Sequence, residues 1–356
     1  MAPLSGSITA LYVFDVSQEI DVDALRNRLG GDAPSGPVGG KSAGPAGVYY
    51  APPPVVVDGS RLGHPMIDGF GLRAKFFDYG VLSLTLTRPF EGDWADLRDA
   101  SHALVENEGL EREAHRACRA IVDSFGFAMR APRQSFLSED YLAFTVTSGA
   151  APAADVIRDH GDDIAQILRG ERAPLSTDER AAVLRHRLSY FDRDVIVVAW
   201  NAAFVYDAPD AVQAALDIFE VANAQLLEFR YYDDYLEREL TRTYPTLQRS
   251  TWFRGPERAV RRLHAVFVDV NELTDRAENA FKVVGDVYAA RLFGLATARV
   301  GLGTWKRSVE EKLRTLDEIG RFSAEMAGIR KANVLELVIV LILLFELGLF
   351  FAGIMQ

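Results

Sequence analysis

The residues best placed to do chemistry are the acids of RYYDDYLERE, residues 230–239. On a helix Asp233 and Glu237 stand four apart and Asp234 and Glu237 three apart, so their carboxylates share a face, as oxygen ligands of a divalent cation must. The same stretch carries Arg230, Arg238 and Arg242, spaced to pair with these acids: Arg238 and Arg242 with Asp234, Arg230 with Asp233 or Asp234. A solvated, ion-paired helix is the favoured reading, with Asp233, Asp234 and Glu237 as secondary metal candidates. A second set, Asp78, Asp140, Asp192 and Asp194, lies at or beside expected strand starts. Acids there can converge at one sheet edge for metal-dependent phosphoester or nuclease chemistry, although turn and cap chemistry explains them equally well.

Other catalytic signatures are missing. His64, His102, His115, His160, His186 and His264 show no metal-ligand spacing, and there is no G-x-S-x-G elbow, P-loop or G-x-G-x-x-G. Arg258, Arg261 and Arg262 form a small basic patch that reads as a solvated face. No cofactor is expected, and the balance leans away from an enzyme.

Two further acids are out of place. Glu336 and Glu346 interrupt the apolar run ANVLELVIVLILLFELGLFFAGIM, Ala332 to Met355, which has no proline and no basic residue. A helix of that length reaches roughly 36 Å, enough to cross a hydrocarbon core of about 30 Å. Arg330 and Lys331 precede it, so the positive-inside tendency keeps the upstream chain cytoplasmic, or matrix-facing in a mitochondrial inner membrane. The expectation is a single-pass, tail-anchored protein of the bacterial inner membrane or its mitochondrial counterpart. An ionised Glu346 near the middle of the span would cost on the order of several kcal/mol, a cost that a shared hydrogen bond between spans reduces, so it points to self-association. Glu336 lies one turn inside, where it can snorkel or pair with Arg330 and Lys331.

These residues need elements to position them. With 356 residues and 49% hydrophobic content, the chain is long enough for two folded domains. All 39 Lys and Arg precede the span and two of the 50 acids lie in it, so the remainder carries 39 − 48 = −9, which argues against a general nucleic-acid binder. The single cysteine, Cys118, excludes an internal disulfide framework and fits a reducing compartment. The N-terminus has no basic n-region and no signal-peptide pattern.

Alternation predicts a strand over Ile8–Val16 and then a short helix capped by Asp21, together residues 1–29. Gly, Pro, Ser and Ala dominate residues 30–54, a flexible loop. Residues 55–208 read as an α+β core: strands after Phe70 with a bend at Gly80, helical spacing from Asp93 to Phe127, a strand at Asp140–Val146, two charged helices, and an apolar strand run from Ser189 to Asp207. FFDYGVLSLTL and YFDRDVIVVAW share a pattern that suggests a duplicated β-plus-helix unit. Residues 209–331 read as a helical stalk: a long helix ended by Pro245, then a coiled-coil-like antiparallel hairpin with a first seam from Leu263 to Tyr288, a turn in Gly294–Gly303, and a second seam from Leu302 to Ile329. Residues 332–356 are the anchor. The predicted class is thus α+β, a mixed head followed by a helical hairpin and one transmembrane helix.

FFDYGVLSLTL, LSEDYLAFTV, LLEFRYYDDYLERELTRTY and RKANVLELVIVLILLFELGL together resemble the domain-of-unknown-function family of the "required for meiotic nuclear division" membrane proteins, some of them mitochondrial inner-membrane proteins linked to organellar translation. The resemblance covers residues 70 to 245 and the tail, with the family's Arg, Leu-Glu and second Glu falling on Arg330, Leu335, Glu336 and Glu346. It implies a self-associating, membrane-anchored protein and supplies no active site. The expected function is therefore a scaffold or tether whose partners are the lipid bilayer, further copies of itself and a cytoplasmic protein. A metal-dependent phosphoesterase or nuclease using the head's carboxylates is the alternative.

Overall fold

The computed structural model describes residues 3–29, 49–50, 52–105, 107–147, 151–248, 268, 270, 281–282, 287–351 and 353. Its organising strand is β1 (Leu4–Ile20), in which Ile8, Ala10, Tyr12, Phe14 and Val16 enter one core and Leu11 and Val13 the other. This is the two-residue alternation of a pleated strand covered on both faces. Helix α1 (Val22–Leu29) follows at once, with Asp21 Oδ1 accepting from the Ala24 amide at 2.8 Å, the predicted cap. Most of the expected Gly/Pro loop, residues 30–48 and 51, lies outside the described residues.

Short strands β2 (Tyr49–Tyr50), β3 (Val55–Asp58) and β4 (Met66–Ile67) lead to β5 (Phe70–Phe76) and β6 (Val81–Gly92). The β5–β6 turn contains Gly80 at φ 95°, where an added Cβ would stand 2.0 Å from the Ser17 carbonyl oxygen. Only glycine closes that approach. Helical periodicity from Asp93 to Phe127 resolves into α2 (Trp94–Val105) and α3 (Glu108–Phe125), because Asn107 accepts from the Gly109 and Leu110 amides and starts a new helix. Next come β7 (Met129–Val146), α4 (Ala153–Arg169), α5 (Thr177–Leu184), β8 (Arg187–Leu188), β9 (Val195–Val198) and β10 (Ala202–Tyr206). The apolar run from Ser189 to Asp207 is thus a hairpin of two short strands, both buried on two faces.

These strands form one sheet of order β3-β5-β6-β1-β7-β10-β9-β8, with β4 beside β5; β7 and β10 run parallel and the other pairs antiparallel. Helix α6 (Pro209–Gln248) continues through Pro245, where the sequence predicts an end. After β11 (Phe281–Lys282), paired with β2, come α7 (Val287–Arg299) and α8 (Leu302–Phe351). Helices α1–α5 cover one face of the sheet; α7 and the first half of α6 cover the other.

The chain divides into two compact units, Met1–Tyr231 with Thr274–Lys306, and Tyr232–Leu273 with Arg307–Gln356. The first is the mixed α/β head. In the second, Tyr232, Leu236 and Leu240 of α6 and Val309, Leu313 and Leu316 of α8 are buried. The predicted class, a mixed head followed by helices and an apolar C-terminal helix, is the one observed. The first predicted hairpin seam falls largely outside the described residues; its Tyr288 is buried in the head core. The predicted turn is found at Gly301, φ 77°.

Candidate functional site

One face of the sheet carries a chemistry that apolar alternation conceals. Ser7 faces Thr145, Thr9 faces Thr87 and Arg73 faces Thr85 across neighbouring strands, all on the side that α6 covers. The hydroxyls bond sideways: Thr145 Oγ1 is 2.8 Å from Ser7 Oγ and Thr9 Oγ1 is 3.1 Å from Thr87 Oγ1. Ser7, Thr85, Thr87, Thr145 and Thr147 floor a cavity of about 510 Å³ whose opposite wall is the start of α6, including Val212, Gln213 and Leu216.

At the inner end of this cavity stand Lys75 from β5 and Asp217 and Glu220 from α6, respectively 4%, 1% and 1% exposed. The Lys75 ammonium donates to Asp217 Oδ1 at 2.7 Å and to Glu220 Oε2 at 2.5 Å. The two acids reach the same ammonium because positions three apart lie on one helix face. Burial pulls Lys75 toward its neutral form, but Glu220 and Asp217 more than reverse this and raise its pKa above the ordinary lysine value. Burial raises Asp217 above the usual carboxylate range; Lys75 opposes the shift and Glu220 adds to it. The two directions are compatible because one ammonium serves two carboxylates, so the cluster holds a surplus negative charge. Among the described residues, Asp217 Oδ2 and Glu220 Oε1 are buried without a hydrogen-bond partner.

The same face carries two more charge pairs. Arg133 Nε lies 3.0 Å from Asp15 Oδ2 and stacks its guanidinium 4.0 Å from the Tyr231 ring centre, and Arg230 pairs with Glu139. Burial outweighs Arg133 and pushes the Asp15 carboxyl up to about 6.

The acids singled out by spacing have other settings. Asp233 and Glu237 bind the Lys312 ammonium at 3.0 and 2.9 Å, and Ser308 Oγ donates to Asp233 at 2.5 Å. Asp234 pairs with Arg238 at 3.0 Å as the spacing predicts, whereas Arg242 bonds Glu239 and Arg230 bonds Glu139. Asp194 accepts from the amides of Tyr190, at 2.7 Å, and Phe191, closing a turn. Asp140 faces Tyr12 in the sheet register, and the carbonyl oxygens of Asp78 and Asp192 accept from the Ile20 and Ala153 amides, each at 2.8 Å. No group of three or more His, Cys, Asp or Glu side chains suited to a metal ion occurs among the described residues. Cys118 is buried in α3, and burial pushes its thiol up. Arg258, Arg261, Arg262 and His264 lie outside the described residues.

The apolar segment Ala332–Phe350 is a helix of 19 residues with mean hydropathy 2.4 and no buried part, the one candidate membrane span among the described residues. Glu336 and Glu346 are exposed on it; Arg330 and Lys331 lie on the same helix, their side chains outside the described residues.

Lys75, Asp217 and Glu220 escaped sequence reasoning because they are 142 and 145 positions apart. The signal for the floor was present: hydroxyl residues at alternate positions, Ser5–Ser7–Thr9, Ser83–Thr85–Thr87 and Thr145–Thr147, on strands otherwise apolar.

The family described as "Uncharacterized protein MJ0711, N-terminal domain" matches residues 5–212. The uncharacterized protein MJ0711 of Methanocaldococcus jannaschii is 22% identical over 217 residues, 61% of this chain and 67% of that protein. No solved structure matches. These findings correct the resemblance to the meiotic nuclear division family, to which nothing in them points. Of the stretches that carried it, FFDYGVLSLTL is the β5–β6 turn with the start of β6 and LSEDYLAFTV lies in β7, and the apolar pattern of both strands is set by burial, a requirement common to covered sheets. The other two lie beyond the matched residues.

Proposed function

The chain belongs to the MJ0711 N-terminal-domain family, and from that premise we propose that it is a membrane-anchored scaffold: an α/β head held at a bilayer by α8 and assembled into oligomers through it. The observation that carries this reading is the Ala332–Phe350 segment, with no buried part and a mean hydropathy of 2.4. Exposing that much apolar helix to water is costly, and a bilayer removes the cost. Arg330 and Lys331 favour a cytoplasmic head by the positive-inside tendency.

Self-association is supported by side chains that the described chain leaves uncovered. The α8 seam buries Val309, Leu313 and Leu316, but Phe322 and Ile329 farther along it are 64% and 48% exposed. A second copy of the helix would cover them in a coiled-coil-like seam, and Glu346 would then meet its counterpart inside the bilayer, where a shared hydrogen bond lowers the cost of a polar group. The head would thereby be presented in several copies to a protein partner. Light scattering on detergent-solubilised protein tests this: the parent is expected to give a multiple of the chain mass and Glu346→Leu a smaller one. A monomer mass for both would sink the association claim.

A further inference from the structure

The cavity over the hydroxyl floor is unexplained by anchoring, and its charge is unbalanced. Of the ionic side chains lining it, Lys75 and Arg73 are positive and Asp58, Asp217 and Glu220 negative, so 2 − 3 leaves one negative charge. Arg73 and Asp58 form an exposed pair at 3.6 Å, which places the surplus on the buried cluster. Two buried carboxylate oxygens without partners among the described residues stand at the same place, on side chains 99% buried that line the cavity. Unmet acceptors of this kind are costly and call for donors.

We propose that this cavity binds a small organic cation of the primary ammonium class. Its N–H groups would take Asp217 Oδ2 and Glu220 Oε1, and its remaining polar groups would lie on the Thr85 and Thr87 hydroxyls. Both oxygens are reached by turning the terminal carboxylate torsions, which are soft. An anion is disfavoured because the Lys75 ammonium is already held by two carboxylates. A bare divalent ion would need several more oxygens around it while facing that same ammonium. An ammonium group has three donors, matches the single surplus charge, and needs no further ligands. The volume suits a ligand of metabolite size.

The test is thermal unfolding of the detergent-solubilised full chain with three probes: ethanolammonium chloride, tetramethylammonium chloride, which has the charge without N–H donors, and ethylene glycol, which has hydroxyls without charge. Ethanolammonium alone is expected to raise the midpoint, in proportion to the logarithm of its concentration above Kd and by about 5–10 °C at a hundredfold excess over Kd. Glu220→Gln is expected to abolish the rise, and Thr85→Val, which leaves the ion cluster intact, to weaken binding about tenfold. The proposal is overturned if ethanolammonium gives no rise, if either control probe matches it, or if Thr85→Val binds as the parent does.

Discussion

Replacing Lys75 by Met removes the one cation from between two carboxylates that are each 1% exposed. Among the described residues nothing else within hydrogen-bond distance of Asp217 or Glu220 carries positive charge; the Gln213 amide, 3.1 Å from Asp217 Oδ1, is neutral. Breaking a buried pair from one side costs about 3–5 kcal/mol, because the charge left behind has lost its hydration as well as its partner. A unit of this size shifts by about 2–4 °C per kcal/mol, so the midpoint should fall by about 6–20 °C. The defect has a pH signature. Burial already raises the Asp217 carboxyl, and without Lys75 the opposing pull is gone, so its contribution to stability is present in the protonated form at low pH and is lost as pH rises through the folded pKa. The deficit should therefore be smaller at pH 5 than at pH 8. Adding Asp217→Asn and Glu220→Gln removes the stranded charge and should recover more than half the loss. Differential scanning calorimetry across that pH range decides it. A Lys75→Met midpoint within about 2 °C of the parent would refute the reasoning, since it would mean that water reaches the cluster.

Further consequences are checked more simply. Asp15, raised to about 6 by burial beside Arg133, holds a proton more tightly folded than unfolded, so stability should fall as pH rises from about 4 to 6. Asp15→Asn should flatten that slope in urea titrations, and an unchanged slope would assign it to other groups. Gly80→Ala forces a side chain onto a positive φ and into the Ser17 carbonyl, and should cost at least about 2 kcal/mol by chemical denaturation. Asn107→Ala removes the oxygen that accepts from Gly109 and Leu110 and should cost about 1 kcal/mol, whereas a null effect would show that α3 starts without its cap.

Local physics made much of the fold readable. The β1 alternation, the Asp21 cap, the Gly80 turn and the helical spacing of α3 each depend on residues within a few positions, and each is found where the sequence places it. The hairpin inside the Ser189–Asp207 run was hidden because both of its strands are buried on two faces and read as one apolar run, broken only by Asn201, which is exposed with Trp200 at the turn. Pro245 lacks the N–H that would bond the Thr241 carbonyl, so it reads as a stop, yet α6 carries on for three residues past it to Gln248. The acids were legible as residues but not as a site. Asp233 and Glu237 are answered by Lys312, and Asp217 and Glu220 by Lys75, partners too distant in sequence for any spacing rule to find.

Membrane anchoring through α8 is tested most directly by comparing the full chain with a version ending at Lys331, each expressed in cells and the membranes washed with alkaline carbonate. The full chain should stay in the membrane pellet and the shortened chain, its head still folded by circular dichroism, should appear in the soluble fraction. A full chain released by carbonate, or a shortened chain retained like its parent, would contradict the anchor.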